Sequence, residues 1–134
     1  MIKTLKDIIQ VNLLVKKDEL FIAEGNSLPI SVNRFFIVKS DANTKRGEHA
    51  HKNLTQLLIC MHGTCDVICN DGENKENVLL DSPSRGLLIP PGIWAEQIYL
   101  EDHTTLLVAC DAAYDETDYI RDYNEFLKFR LEGK

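Results

Sequence analysis

Five short runs of apolar, β-branched-rich residues, punctuated by turn signals, restrict this chain to a mainly β fold. They are Arg34-Phe35-Phe36-Ile37-Val38, Gln56-Leu57-Leu58-Ile59-Cys60-Met61, Thr64-Cys65-Asp66-Val67-Ile68-Cys69, Gly86-Leu87-Leu88-Ile89 and Thr104-Thr105-Leu106-Leu107-Val108-Ala109. All have strand length and strand composition. Turn chemistry punctuates them at His62-Gly63, Asn70-Asp71-Gly72, Pro83-Ser84-Arg85-Gly86 and Pro90-Pro91-Gly92. Asn70-Asp71-Gly72-Glu73 suits the closing of a hairpin. Strands at this spacing, with little helix between them, indicate a sandwich or barrel. Near the C-terminus the period changes. Tyr119, Ile120, Tyr123, Phe126, Leu127 and Arg130 recur at helical spacing, with Asp115 or Thr117 available as a cap. The pattern predicts a β sandwich or barrel from about Leu20 to Asp111 and a helix from about Asp118 to Leu131.

At 134 residues the chain is expected to form one domain, residues 1–134, with a real core. Lys plus Arg number 15 and Asp plus Glu 21, giving a net charge of −6 and no field or basic run suited to nucleic acid. Met1-Ile2-Lys3-Thr4-Leu5-Lys6-Asp7 lacks an apolar signal core, and no apolar run approaches membrane-spanning length. A soluble cytoplasmic protein is therefore expected. The four cysteines, Cys60, Cys65, Cys69 and Cys110, fit no C-x-x-C zinc spacing. Reduced thiols on buried strands are the expected state.

Chemistry concentrates in Arg46-Gly47-Glu48-His49-Ala50-His51, which holds two of the four histidines. Residues i and i+2 on a strand share a face, so both imidazoles project to one side if the stretch is extended. Imidazole moves protons near neutral pH and is also the commonest metal ligand. Gln56 follows His51, then Gly63, and further on comes Gly86-Leu87-Leu88-Ile89-Pro90-Pro91-Gly92-Ile93-Trp94-Ala95. This layout resembles the two motifs of the cupin superfamily, small antiparallel β-barrels of jelly-roll type. In metal-binding cupins a Glu and a distant His complete the ligand set. Gln56 and Ala95 stand at those two positions here. Two good ligands fall short of the three a catalytic metal site usually needs. Proton chemistry without metal or other cofactor is the expected use of the pair.

Arg46-Gly47-x-His49-Ala50-His51-Lys52, Trp94-x-Glu96 and Tyr114-Asp115-Glu116-Thr117-Asp118-Tyr119-Ile120-Arg121 together resemble the nucleotide-sugar 3,4-ketoisomerases. The likeness runs from about Leu20 to Phe129. It implies conversion of dTDP-4-keto-6-deoxy-D-glucose to a dTDP-3-keto-6-deoxyhexose, ahead of amination and assembly into surface polysaccharide such as O-antigen lipopolysaccharide. Moving the ketone requires taking the carbon 3 proton, passing through an enediol, and protonating carbon 4. The resemblance implies that His49 and His51 do this, His49 at carbon 3 and His51 near carbon 4. Each such group contributes ~10²–10⁴-fold.

A dTDP-sugar also needs cations and a flat apolar surface. Arg46 and Arg34 are the phosphate candidates, because guanidinium grips phosphate oxygens bidentately. Lys17 and Lys52 are weaker candidates, and Gln56 is a further substrate-binding candidate. Trp94, the only Trp, follows the Pro90-Pro91-Gly92 turn at the barrel mouth, where it either stacks on a ring or fills core, and the family likeness tips it towards the site. The Tyr119/Tyr123/Phe126 stripe reads as helix packing. Ala95 leaves open whether the product has the gluco or galacto configuration. The family likeness further implies a homodimer, with N-terminal strands 1–14 exchanged between subunits. Residues Ile2 to Leu14 support this, being apolar-rich without an evident partner in a closed monomer barrel. Two other readings compete: a metal-dependent cupin enzyme and a non-catalytic nucleotide-sugar-binding module.

Overall fold

The structure, a computed structural model, describes residues 2–17 and 19–133. Twelve strands and one α-helix are found among them. The strands are β1 (Ile9–Asn12), β2 (Leu14–Lys16), β3 (Leu20–Ile22), β4 (Arg34–Ser40), β5 (Thr44–His51) and β6 (Gln56–His62). They continue as β7 (Cys65–Asn70), β8 (Lys75–Leu80), β9 (Arg85–Ile89), β10 (Trp94–Tyr99), β11 (Thr104–Cys110) and β12 (Tyr119–Ile120). The helix is α1 (Tyr123–Glu132).

The five apolar runs all become strands, as their composition predicts. Two five-stranded antiparallel sheets result, in the orders β1-β9-β6-β11-β4 and β12-β5-β10-β7-β8. They pack face to face as a jelly roll rather than closing into one continuous barrel. The core lies between them: Leu58, Cys60, Leu87 and Val108 from the first sheet meet Cys65, Val67, Leu80 and Tyr99 from the second. Each strand alternates, so its other residues face outward. All four cysteines are buried and free. Burial pushes the Cys65 and Cys69 thiols each up to about 12, so they remain protonated core residues.

Asn70-Asp71-Gly72-Glu73 closes the β7–β8 hairpin as its sequence predicts. Asp71 Oδ1 accepts from the Glu73 and Asn74 amides, and Gly72 takes φ +93°. A local side-chain acceptor and a left-handed glycine are what such a turn requires.

Two boundaries differ from expectation. The helix begins at Tyr123, where the Asp122 side chain accepts from the Glu125 amide, and not near Asp118. The residues ahead of it form a turn at Glu116–Asp118 and then pair with β5 as β12, Tyr119 opposite His51 and Ile120 opposite Ala50. Helical spacing of Tyr119 and Ile120 was thus coincidental: a strand partner outcompetes helix propensity there. Second, the N-terminal segment has a partner within this chain. β1 pairs antiparallel with β9, from Ile9 opposite Leu88 to Asn12 opposite Arg85.

Helix α1 covers the outer face of the second sheet. Phe126 is fully buried against Ala50, Trp94 and Ile120. Arg130, also buried, donates from Nη1 to the carbonyls of Gly92 and Lys3, so the helix pins the N-terminal segment and the β9–β10 turn together. No helix among the described residues is long and apolar enough to cross a membrane.

Candidate active site

β5 positions the histidine pair. Ala50 turns outward beneath α1, so His49 and His51, one residue to either side, turn inward. A bulge precedes them. On β10, Ala95 lies opposite His49 and Glu96 opposite Gly47, which leaves Glu48 as the extra residue. Gly47 and Glu48 both take positive φ, +89° and +54°. A Cβ on Gly47 would lie 2.7 Å from Gln97 Oε1 and 2.9 Å from the Ala95 carbonyl oxygen. Only glycine fits that approach. Gly47→Ala is therefore expected to shift the bulge and the histidines behind it. Turnover should fall at least about tenfold, consistent with the steep cost of misplaced catalytic groups, and wild-type kinetics from the variant would contradict this.

The two imidazoles meet edge to face, with ring centroids 5.0 Å apart. Tyr119 from β12 packs on both, 4.3 Å from the His51 ring and 5.0 Å from the His49 ring. His51 Nδ1 lies 3.0 Å from Asp118 Oδ2, and Asp118 Oδ1 accepts from the Asn53 amide at 2.7 Å. A carboxylate only accepts, so Nδ1 carries the hydrogen and Nε2 carries the lone pair. His51 Nε2 is inaccessible and has no hydrogen-bond partner among the described residues. His49 Nδ1 donates to the Gly47 carbonyl at 2.9 Å, which likewise leaves its Nε2 with a lone pair. Burial, and then the neighbouring His49, lower the His51 pKa to about 4, against the opposing effect of Asp118. Burial also lowers His49, with the Gly47 carbonyl opposing. Both rings are therefore neutral at pH 7 and able to accept a proton.

A cavity of about 400 Å³ opens on this cluster, with Arg34, His51, Asn53, Tyr114, Asp118 and Tyr119 in its wall. Arg34 starts β4, and its Nη2 donates to Cys110 Sγ at 3.7 Å. Gln56, at a cupin metal-ligand position, turns its amide towards the same sulfur at 3.9 Å. Among the described residues no cluster of three or more His, Cys, Asp or Glu could hold a metal ion. At the rim, Arg121 grips Glu116 through Nε and Nη2 at 2.8 and 3.0 Å, and Tyr114 donates to Glu116 as well. Arg121, then Tyr114, hold the Glu116 carboxyl down at about 2. The Arg121 guanidinium stacks 4.2 Å from the Tyr119 ring.

Of the residues expected at the site, His49, His51, Arg34 and Gln56 lie together. Trp94 does not join them. It sits on the opposite face of β10, 5% exposed, 5.2 Å from Tyr123 and 5.5 Å from Phe126, with its indole N–H donating to Glu96. Its neighbour Ala95 is the residue that turns inward beside His49, because side chains alternate along a strand. Arg46 lies outside the His51 cavity. It is exposed and donates to Ser40 Oγ at the far end of β4 from Arg34, roughly 20 Å along the strand. Lys52 is exposed at the rim, near Tyr119 and Lys128 of α1. Lys17 is exposed at the turn between β2 and β3, with φ +55°.

Asp118 and Tyr119 were not singled out by sequence reasoning, nor were Tyr114, Glu116 and Arg121. All five fall in Tyr114–Arg121, a segment whose pattern was legible although it suggested no role for its members.

Comparison with known proteins accords with this geometry. Residues 3–131 match the family model described as FdtA: WxcM-like, C-terminal. The chain is 39% identical over 109 residues to a TDP-4-oxo-6-deoxy-alpha-D-glucose-3,4-oxoisomerase of Aneurinibacillus thermoaerophilus, covering 81% of this chain and 78% of the other. It is similar to the WlaRB TDP-quinovose 3,4-ketoisomerase of Campylobacter jejuni, with 39% identity, TM-score 0.85, and coverage of 92% of this chain and 99% of that one. A histidine-to-asparagine variant of the 3,4-ketoisomerase QdtA from Thermoanaerobacterium thermosaccharolyticum, in complex with TDP-4-keto-6-deoxyglucose, superposes with TM-score 0.91. Its identity is 29%, with 96% of this chain and 97% of that one covered.

Proposed function

This chain belongs to the WxcM-like FdtA family and is an isomerase of the sugar 3,4-ketoisomerase class, and on that premise we propose that it converts TDP-4-keto-6-deoxyglucose to the 3-keto isomer by metal-free proton transfer. The observation that carries the mechanism is the His51–Asp118 pair in the cavity wall, where His51 Nε2 has no hydrogen-bond partner among the described residues. Asp118 fixes the tautomer and stabilises the imidazolium as it forms, which lets a buried imidazole of low pKa act as a base. The family resemblance implied His49 for carbon 3. The carboxylate partner and the cavity favour His51 for that step, with His49 beside carbon 4. The ketosugar bound by the QdtA variant supports the substrate class. Proton NMR of the purified chain with TDP-4-keto-6-deoxyglucose should show a 3-keto product, and its ring couplings report gluco or galacto configuration. Unchanged substrate would overturn the proposal.

Metal independence follows from Gln56 and Ala95 at two ligand positions, one turned to a thiol and the other without a donor. Turnover is expected to survive dialysis against EDTA within about twofold. Loss of activity that zinc or iron restores would contradict it. Lys52, at the rim, is better placed for the diphosphate than Arg46.

We further propose a homodimer. The outer face of edge strand β4 exposes Phe35 at 61% and Ile37 at 54%, and Ile9, Leu14 and Leu20 are about half exposed. Open apolar edges of this kind call for a partner. β1, which pairs with β9 here, is the element an exchange of N-terminal strands would move. Light scattering at micromolar concentration should return twice the 15.3 kDa chain mass. A monodisperse monomer would exclude the dimer.

A further inference from the structure

Arg34 occupies an unusual setting for a surface-strand arginine. It opens β4, whose inward face continues through Phe36 and Val38 into the core. Its guanidinium carbon lies 5.4 Å from the Phe36 ring centroid and 5.4 Å from that of Tyr114. Nη2 donates to Cys110 Sγ, and the Tyr119 side chain is a further hydrogen-bond partner of the same guanidinium. Nε is inaccessible and has no partner among the described residues. Two rings, a thiol and a phenol thus surround this cation, and none of them is a carboxylate. A guanidinium that no carboxylate neutralises can give its outer N–H groups to an anionic oxygen of a ligand. Fixed donors also need no reorganisation when negative charge appears among them.

Two anionic parts of a nucleotide keto-sugar could be that ligand: the diphosphate or the oxygen that becomes charged during reaction. Position decides between them. Arg34 shares the cavity wall with His51 and lies within electrostatic reach of its ring. The diphosphate hangs from carbon 1, across the pyranose ring from carbon 4. A cation beside the base that works at carbons 3 and 4 is therefore at the reacting end.

We infer that Arg34 and the Tyr119 hydroxyl form the oxyanion site of the reaction, stabilising the enediolate rather than gripping the diphosphate. The inference rests on the ketoisomerase reading. His51 Nε2 takes the carbon 3 proton, the C–H pair becomes the carbon 3–carbon 4 double bond, and the carbonyl π pair moves onto the carbon 4 oxygen. Arg34 and Tyr119 donate to that oxygen. The hydroxyl proton then passes from the carbon 3 oxygen to the carbon 4 oxygen. Finally the carbon 3 carbonyl forms, and the pair of the carbon 3–carbon 4 double bond takes the proton from the His51 imidazolium onto carbon 4, returning the ring to its neutral form. No oxidant, reductant or second substrate enters.

The test separates turnover from nucleotide affinity. Arg34→Gln should lower kcat at saturating substrate about 10²–10³-fold, the range for loss of one oxyanion donor, while TDP affinity measured by calorimetry stays within about threefold. The TDP titration also reports that the variant is folded. A kcat within tenfold of wild type, or TDP binding weakened tenfold or more, overturns the inference. Should Arg34→Gln fail to fold, Tyr119→Phe keeps the ring packing and removes only the hydroxyl. It should lower kcat at least about tenfold, the equivalent of one hydrogen bond to a charged group, and unchanged kcat would overturn the pair. Wild-type protein inert towards the keto-sugar would instead refute the ketoisomerase reading, before any variant is made.

Discussion

His51→Asn is expected to reduce kcat by about 10²–10⁴-fold, the range for loss of a general acid–base group, while TDP affinity stays within a few-fold of wild type. Asparagine can still reach Asp118 with its amide but has no lone pair of useful basicity to offer the cavity. His49→Asn should cost less, because His49 bonds a backbone carbonyl rather than a carboxylate. The pH profile gives a second reading of the same group. A base with pKa about 4 is unprotonated from roughly pH 5 upward. The acid limb of kcat/KM should therefore fall as pH drops through about 4, and not near 6.5. Stability moves the same way. With its pKa below the unfolded value of about 6.5, His51 takes its proton first in the unfolded chain. Its contribution therefore erodes stability as pH falls from about 6.5 to about 4 and changes little below that. Thermal melts of wild type and His51→Asn should converge over this interval or cross. An acid limb near 6.5 would show that burial does not hold the imidazole neutral.

The second large effect is expected at Asp118. Its two oxygens take separate donors, the His51 ring N–H and the Asn53 backbone N–H. Asn at this position keeps one acceptor and must turn its amide N–H₂ towards one of those donors. If it turns towards His51, the ring adopts the other tautomer and its hydrogen replaces the lone pair at Nε2. Asp118→Asn should then lower kcat about 10²-fold or more, comparable to other losses of a carboxylate behind a histidine, with TDP affinity little changed. Steady-state kinetics with a calorimetric TDP titration check both halves. A kcat within threefold of wild type would mean that Asp118 merely anchors the Lys52–Asn53 turn.

Local patterns and long-range partners differ in how they can be read from the chain. The five β-rich runs, the Asn70-Asp71-Gly72 turn and the shared face of His49 and His51 follow from spacing alone, and the structure holds each of them. Asp118 could not be placed in that way, since it meets His51 across 67 residues of chain and only after β12 docks on β5. Tyr119 was hidden for the same reason, behind helical spacing that the strand overrides. Trp94 was drawn to the mouth by its turn. Strand parity relative to His49 sends it to the other face, but that parity depends on the register across β5 and β10. The bulge at Gly47-Glu48 sets that register, and nothing in the residue pattern announces a bulge. Arg34 could be read from the chain only as a phosphate candidate, because the rings and the thiol around it are brought there by the fold.

Proton exchange at carbon 3 is the most direct observable of a histidine base acting on a keto-sugar. Wild-type protein with TDP-4-keto-6-deoxyglucose in deuterated buffer, followed by proton NMR, should lose the carbon 3 proton signal as isomer forms. His51→Asn should bind the same sugar and leave that signal intact. Loss of that signal at the wild-type rate in His51→Asn would place the base elsewhere.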